Sequence, residues 1–143
     1  MTRVLVLNGP NLNRLGTREP EVYGADTLAD LAKLCAETGR ELGLDVDFRQ
    51  TNDEAEIVGW IHQAVDDRTP IILNPAAFTH YSYSLRDALA QRTAPLIEVH
   101  LSNPATREEF RHTSVVAGVA TGTIAGFGTA SYTLALRALA DLL

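Results

Sequence analysis

Five apolar runs, separated by helical patterns, constrain most strongly what this chain can fold into. The runs are Val4–Leu7, Val46–Arg49, Ile71–Asn74, Leu96–His100 and Thr123–Phe127. The first, third and fourth runs are nearly continuous in apolar residues, as is typical of strands that are covered on both faces of a sheet. Because strands and helices alternate along the chain, parallel strands joined by right-handed crossovers follow. The sequence therefore predicts an α/β fold: an open, five-stranded parallel sheet with helices on both faces.

The segments between these runs have helical periodicity and residues that suit helix ends. One helix is predicted over Leu28–Leu42; Asp26 or Thr27 can begin it, and Gly43 can end it. A later helix is predicted to begin with Asn52 as its N-cap. Its apolar stripe, at helical spacing, consists of Ile57, Trp60, Ile61, Ala64 and Val65. The last helix is predicted to bury Tyr132, Ala135, Leu136, Leu139 and Leu142.

Length and composition exclude several classes of protein. With 143 residues, a single domain covering residues 1–143 is expected. The net charge of -6 argues against a face that binds nucleic acid, although a few arginines can still converge on a small anion. The single cysteine, Cys35, excludes a disulfide framework, and its helical position predicts a buried hydrophobe. Because a strand begins at once and no apolar run could cross a bilayer, we expect no signal peptide, no membrane contact and a cytoplasmic location.

The connection Asn8–Gly24 is too long and too polar for a simple turn. It contains two prolines, three glycines and three asparagines, and loops of this kind tend to be lids or binding segments. It also carries Arg18 and Tyr23. A guanidinium beside a phenol lowers the pKa of the phenol and makes it a usable base, and the bend at Pro20 would allow the two side chains to meet. The alternative is that Tyr23 packs the loop against the first helix.

Polar residues follow three of the predicted strands, in the segments that begin at Asn8, Asn74 and His100. Ligands of open parallel sheets bind at this edge, near the point where the strand order reverses, so the three segments are expected to converge. Glu98 and His100 lie two residues apart and therefore share a face of their strand. The carboxylate could orient the imidazole and raise its pKa, as a proton donor requires; the alternative is a structural pair at a sheet edge.

The segment Ser102–Arg111 follows the fourth strand and predicts a turn and a short helix. Backbone amides near Leu101, Ser102 and Asn103, together with the Ser102 hydroxyl, predict an anion cradle. Arg107 and Arg111 are four residues apart and are expected to share a helix face.

One of these arginines could reach a ligand while the other pairs with an acid such as Glu19 or Glu98. The alternative is a solvated run of charges.

No phosphate-binding loop motif is present, and Gly126–Gly128 lacks the third glycine of a dinucleotide fingerprint. No thiolate or carboxylate stands at a familiar ligand spacing from His80 and His100, so a metal is not expected.

Three long motifs appear in order along the chain. They are Asn8–Asn13 with Arg18–Pro20 and Tyr23–Gly24, Asn74–His80 with Leu85–Ala88, and Glu98–Asn103 with Arg107–Arg111. Together they resemble the type II 3-dehydroquinate dehydratase family over essentially the whole chain. The resemblance implies a flavodoxin-like fold and a homododecamer built as a tetramer of trimers. It also implies a cofactor-free elimination of water from 3-dehydroquinate, through an enolate, in the shikimate pathway or in quinate catabolism.

The resemblance assigns the catalytic residues. Tyr23 is implied as the base, and Arg18 as the cation that keeps it deprotonated. Asn11 is implied to bind a water that stabilises the enolate oxygen. His100 is implied as the acid, with Glu98 orienting it and, in a further motif, Asn74 hydrogen-bonded near it.

The resemblance also assigns the contacts to the substrate, a small anionic cyclic hydroxy acid. The amides of Leu101 and Ser102 and the Ser102 hydroxyl are implied to hold its carboxylate. His80 and Arg111 are implied to hold ring hydroxyls, and Asp87 to reach the active site of a neighbouring subunit. Asn74 is implied as a substrate contact as well.

A second class of function is a flavodoxin-like binding or signalling module without catalysis. Flavin binding calls for a phosphate-cradling loop rich in Ser and Thr after the first strand, where this chain has amides and arginines. A phosphoryl acceptor calls for an acidic cluster at the strand ends, which this sequence lacks. The sequence therefore favours the enzyme.

Overall fold

Five parallel strands form the sheet, and the computed structural model describes residues 1–17, 19–23 and 25–143, without the side chains of Pro20 and Tyr23. The strands are β1 (Thr2–Asn8), β2 (Leu44–Gln50), β3 (Ile71–Asn74), β4 (Leu96–His100) and β5 (Gly122–Ala125). Their order across the sheet is β2-β1-β3-β4-β5. The predicted open, five-stranded parallel sheet is confirmed, and β3 and β4 have the predicted bounds.

Helices connect the strands and flank the sheet. They are α1 (Pro20–Tyr23), α2 (Leu28–Glu41), α3 (Glu54–Asp67), α4 (Tyr83–Leu89) and α5 (Ala130–Leu142). Short 3-10 turns cover Leu12–Arg14, Ala76–His80, Pro104–Thr106, Glu109–His112 and Ala117–Val119. Within the described residues, none of the helices combines the length and the apolarity that a membrane span requires.

The ends of α2 follow the predicted signals. Thr27 is the N-cap: its hydroxyl accepts the Asp30 N–H at 3.1 Å, and the Asp30 carboxylate accepts the Thr27 N–H at 3.0 Å. Gly43 follows the last turn with a φ of 75°, a left-handed conformation that glycine adopts without strain.

The prediction for the start of α3 is wrong by one residue. Asp53 is the N-cap, and its carboxylate accepts the Ala55 N–H at 2.9 Å. The Asn52 side chain accepts the N–H of Asn11 instead, also at 2.9 Å. Asn52 therefore ties the loop after β2 to the loop after β1, a long-range contact that local helix signals do not contain.

Strand β5 ends earlier than Phe127, the predicted end. Gly126 and Gly128 have φ values of 97° and 60°, so the chain leaves the sheet direction at Gly126 and turns into α5. The hydrogen bond from the Gly126 N–H to the His100 carbonyl, 3.3 Å long, lies just past the last paired residue, Ala125.

Alternate residues of β1 point to opposite faces of the sheet and build two cores. Val4 and Val6 pack with residues of α2 and α5, whereas Leu5 and Leu7 pack with residues of α3 and α4. Cys35 is fully buried in the first core, as predicted, and burial raises the pKa of its thiol to about 12. The thiol therefore stays protonated and unreactive near neutral pH.

Helix α5 buries all but one of its predicted core residues. Tyr132, Ala135, Leu136 and Leu139 are fully buried. Leu142 is exposed, contrary to prediction: it is the last residue of α5, and residues 141–143 are all exposed.

The loops after β1 and β3 touch at the carboxyl edge of the sheet. The Gly9 N–H donates to the Asn74 carbonyl at 2.9 Å. A Cβ atom at Gly9 would lie 2.4 Å from the Pro75 carbonyl oxygen, which is backbone and cannot move aside easily. Glycine is therefore required at position 9. This position follows β1, which lies between β2 and β3 at the point where the crossovers diverge.

We expect Gly9→Ala to lower the free energy of unfolding by about 1–3 kcal/mol, because the added methyl group overpacks this contact. Urea denaturation followed by circular dichroism measures the change. Gly59→Ala is the matched control, since nothing lies within 4 Å of a Cβ built at Gly59 in α3. A Gly9→Ala protein as stable as the control would contradict the steric argument.

Candidate active site

A cleft of about 90 Å³ lies where β1, β3 and β4 end. Predicted site residues that line it are Asn11, Asn74, His80, His100, Leu101, Ser102 and Arg111. The structure thus brings together the three polar segments that the sheet topology predicts to converge.

Glu98 and His100 form a buried pair on β4, and His100 lines the cleft. His100 Nε2 lies 2.5 Å from Glu98 Oε2, and the two residues are 9% and 1% exposed. An ionised carboxylate only accepts hydrogen bonds, so Nε2 donates to it. Nδ1 is then the ring nitrogen left to meet a molecule bound in the cleft.

Ser114 holds the Glu98 carboxylate from behind. Its hydroxyl lies 3.1 and 3.0 Å from the two carboxylate oxygens and accepts the N–H groups of Val116 and Ala117 at 3.2 and 3.0 Å. Because those N–H groups can only donate, the single hydroxyl proton points to the carboxylate. Glu98 is therefore fixed by His100 on one side and by Ser114 on the other.

His80 is oriented by the residue next to Ser114. Its Nδ1 lies 2.8 Å from the Thr113 carbonyl oxygen, which can only accept, so Nδ1 donates and Nε2 is left for a ligand. The ring packs edge-on against Phe110, with centroids 5.9 Å apart. Among the described residues, no group of three or more His, Cys, Asp or Glu side chains is arranged to hold a metal ion.

Asn74 ends β3 and is almost fully buried in the cleft wall. Its Nδ2 donates to the Tyr132 hydroxyl at 2.9 Å, and its Oδ1 accepts the Ala76 N–H at 3.1 Å. Asn74 and His100 thus line the same cleft, but no hydrogen bond joins their described side chains.

The segment after β4 presents groups that suit an anion. Within the part of the chain that the structure describes, nothing accepts a backbone hydrogen bond from the N–H of Leu101 or Ser102. The Ser102 hydroxyl accepts a hydrogen bond from Arg107 Nη1 at 3.3 Å. Two available amides, a hydroxyl and a guanidinium beside them form the kind of site that binds carboxylates.

Arg107 and Arg111 both line the cleft, but the predicted shared helix is wrong. The chain forms two separate 3-10 turns, and Arg107 between them is extended, with φ -108° and ψ -162°. The first turn is closed by Asn103, whose side chain accepts the Ala105 N–H at 3.1 Å. Arg107 Nη2 lies 3.8 Å from Glu19, one of the two acids that the prediction names as partners.

Arg111 pairs with Glu108, the residue that precedes its turn. Its Nε donates to Glu108 Oε1 at 3.0 Å, and the guanidinium lies 4.6 Å from the centre of the Phe110 ring. The hydrogen bond from Arg111 lowers the pKa of the Glu108 carboxyl group, so this pair stays ionised at neutral pH. The guanidinium is thereby held at the rim of the cleft.

Comparison with known proteins decides the family. The family model described as dehydroquinase class II matches residues 2–140. The chain belongs to the class II dehydroquinase family. A 3-dehydroquinate dehydratase of Salinispora tropica is 62% identical over 138 residues, which is 96% of each chain. One from Halalkalibacterium halodurans is 52% identical, covering 99% of this chain and 97% of that protein.

Solved structures of dehydroquinases have the same fold. The crystal structure of type II dehydroquinase from Propionibacterium acnes superposes with a TM-score of 0.97 at 60% identity, covering 99% of this chain and 97% of that one. The type II dehydroquinase from Butyrivibrio crossotus superposes with a TM-score of 0.94 at 43% identity. The flavodoxin-like topology predicted from the resemblance is therefore confirmed.

The remaining residues implied by resemblance to the dehydroquinases differ in where the structure places them. Asn11 lines the cleft in a left-handed conformation, with φ 70°. Asp87 lies on α4 with its side chain 70% exposed and paired with Arg86 at 2.9 Å, and it is not part of the described cleft lining. Arg18 and the side chain of Tyr23 lie outside the described residues.

Sequence reasoning missed three groups that shape this dehydroquinase cleft. Ser114 contacts Glu98 from 16 residues further along the chain and Thr113 contacts His80 from 33 residues further, and no local pattern links either pair. The sequence predicts Tyr132 only as a core residue; its hydroxyl is the available signal, since a buried phenol usually finds a hydrogen-bond partner.

Proposed function

We propose that this chain eliminates water from 3-dehydroquinate through an enolate to give 3-dehydroshikimate, without a metal or a cofactor. The chain is a hydro-lyase by its family. The observation that carries the proposal is the buried Glu98–His100 pair, 2.5 Å apart, with His100 at the wall of the cleft. The reaction would serve the shikimate pathway or quinate catabolism.

The chemistry of the substrate sets what the cleft must supply. 3-Dehydroquinate is a cyclic β-hydroxy ketone with a carboxylate and further hydroxyl groups. Losing water requires a base for the proton beside the ketone, stabilisation of the enolate, and an acid for the departing hydroxyl. A carboxylate site is needed to fix the ring against these groups.

His100 is the proposed acid. Glu98 accepts from Nε2 and orients the ring, and Nδ1 is the proposed donor of the proton that the leaving hydroxyl takes. Ser114 keeps Glu98 in place during this transfer. Asn74 lines the same cleft and is proposed to contact the substrate beside the acid.

The proposed carboxylate site is formed by Leu101 and Ser102. Both N–H groups and the Ser102 hydroxyl are positioned after β4, and Arg107 adds positive charge next to the hydroxyl. His80, through Nε2, and Arg111 are proposed to hold the ring hydroxyls, because both line the cleft.

The proposed base is Tyr23, activated by Arg18, with Asn11 binding the water that stabilises the enolate oxygen. This assignment rests on the family resemblance. It is supported by the position of the loop around these residues: Asn11 lines the cleft, and Glu19 lies 3.8 Å from Arg107, another residue of the lining.

The assembly is proposed as a dodecamer, a tetramer of trimers, in the cytoplasm, with residues 1–143 acting as one catalytic domain. Asp87 would reach the active site of a neighbouring subunit. Its support is the exposure of Asp87 on α4, where 70% of the side chain is accessible.

The direct test is to add 3-dehydroquinate to the purified, metal-free protein and follow ultraviolet absorbance. The product has a carbon–carbon double bond conjugated with its ketone and absorbs where the substrate does not. We expect absorbance to rise in proportion to enzyme concentration. An unchanged absorbance would reject the proposed function.

His100→Ala should slow this reaction by about 10²–10⁴-fold, the usual loss for a missing general acid. The absorbance assay measures the rate at saturating substrate. His62→Ala is the matched control, since His62 is exposed on α3 and is not in the cleft lining. If both variants keep the native rate, His100 is not the acid.

Tyr23→Phe should lower turnover by about 10²–10⁴-fold while leaving substrate affinity within a few-fold, because only the phenol oxygen is removed. Calorimetric titration with 3-dehydroquinate measures the affinity in this slow variant. Tyr83→Phe, on exposed α4, is the control for the same substitution. A near-native rate in Tyr23→Phe would eliminate this tyrosine as the base.

A further inference from the structure

A buried tyrosine connects two strand ends beneath the cleft. Tyr132 lies on α5 and is fully buried. Its hydroxyl donates to Asn8 Oδ1 at 2.6 Å and accepts from Asn74 Nδ2 at 2.9 Å. Asn8 ends β1 and Asn74 ends β3, so the phenol links the two strands at whose carboxyl ends the cleft opens.

Backbone groups fix the direction of this chain of hydrogen bonds at both ends. At one end, Asn8 Nδ2 donates to the Arg49 carbonyl at 2.9 Å, which leaves Asn8 Oδ1 as an acceptor. At the other end, the Ala76 N–H donates to Asn74 Oδ1 at 3.1 Å, which leaves Asn74 Nδ2 as a donor. The phenol must therefore give its single proton to Asn8 and accept from Asn74.

The phenol keeps that proton at any working pH. Burial raises the pKa of Tyr132 far above its ordinary value, and neither asparagine titrates. The direction of the chain is consequently constant, and rotating the Asn74 amide by half a turn would break its bonds to both Tyr132 and Ala76. A primary amide has two N–H groups, so one N–H of Asn74 is left after Tyr132 is satisfied.

We propose that Tyr132 is a positioning residue, which locks the Asn74 amide so that its remaining N–H is presented to the molecule bound in the cleft. This inference deepens the proposed function and rests on it for the kinetic effect. Without the phenol oxygen, the Asn74 amide loses one of the two hydrogen bonds that fix its orientation. It can then turn either an N–H or its carbonyl oxygen toward the molecule in the cleft. The cost falls on catalysis through Asn74.

A double-mutant cycle tests the coupling. We expect Tyr132→Phe to lower kcat/KM by about tenfold in the native background, the rate equivalent of one typical hydrogen bond. In the Asn74→Ala background the same change should alter kcat/KM by less than about twofold, because there is no amide left to position. An equal loss in both backgrounds, or no loss in the native one, overturns the proposal.

Loss of stability alone must be separated from loss of positioning. Ile57→Val removes a methylene group from the core on the opposite face of the sheet and is expected to lower stability without touching this chain of hydrogen bonds. Its kcat/KM should stay native under conditions where urea denaturation shows the protein to be folded. A tenfold loss in Ile57→Val would show that Tyr132→Phe acts through general destabilisation.

A second readout does not depend on turnover. In ¹⁵N-labelled protein, the side-chain amide signals of Asn74 can be assigned by their disappearance in Asn74→Ala. We expect their hydrogen exchange with solvent to accelerate at least about tenfold in Tyr132→Phe and to stay unchanged in Ile57→Val. Unchanged exchange in Tyr132→Phe overturns the positioning role, even if the native protein converts 3-dehydroquinate. If exchange accelerates in the variant but the native protein is inactive, only the proposed function is rejected.

Discussion

The position of β1 between β2 and β3 is the constraint on which the rest of this structure depends. Because all strands are parallel, their carboxyl ends lie along one edge of the sheet, and the crossovers that leave β1 and approach β3 pass on opposite faces. A gap opens there, and the polar ends of β1, β3 and β4 line it. The close approach of Gly9 to the Pro75 carbonyl shows how little space separates the two loops that border this gap.

Each of these strand ends buries a polar side chain, and burying such a group is unfavourable unless it is hydrogen-bonded. Asn8 and Asn74 are satisfied through Tyr132 and through backbone groups, and Glu98 is satisfied by His100 and Ser114. Tyr132, Arg49 and Ser114 are distant in sequence from the groups that they satisfy, whereas Ala76 and His100 lie two residues beyond theirs. The floor of the cleft is therefore fixed by the fold as a whole, as a preorganised site requires.

Much of this arrangement could be predicted from the sequence, where local pattern determines the outcome. Apolar runs located β3 and β4 to the residue, and capping chemistry located Thr27 and Gly43 at the ends of α2. Predictions failed where a distant contact overrode a local signal. The Asn52 side chain does not cap α3, because it accepts the N–H of Asn11 in the loop after β1.

The candidate site likewise has features that the sequence predicts and features that it does not. Parallel topology predicted which segments converge, and strand alternation predicted the Glu98–His100 pair. Neither could predict Ser114 or the hydroxyl contacts of Tyr132, because those depend on how a later segment and a helix pack against the sheet. The shared helix for Arg107 and Arg111 failed because the chain between the two turns is extended.

Two consecutive residues, Thr113 and Ser114, hold the two histidines of the cleft, one through a carbonyl that receives the His80 ring proton and the other through the carboxylate behind His100. The rings lie on different segments, yet the orientation of both depends on this one dipeptide. A displacement of Thr113 and Ser114 would misalign both imidazoles at once. These two residues therefore tolerate less backbone variation than their place in a surface connection would suggest.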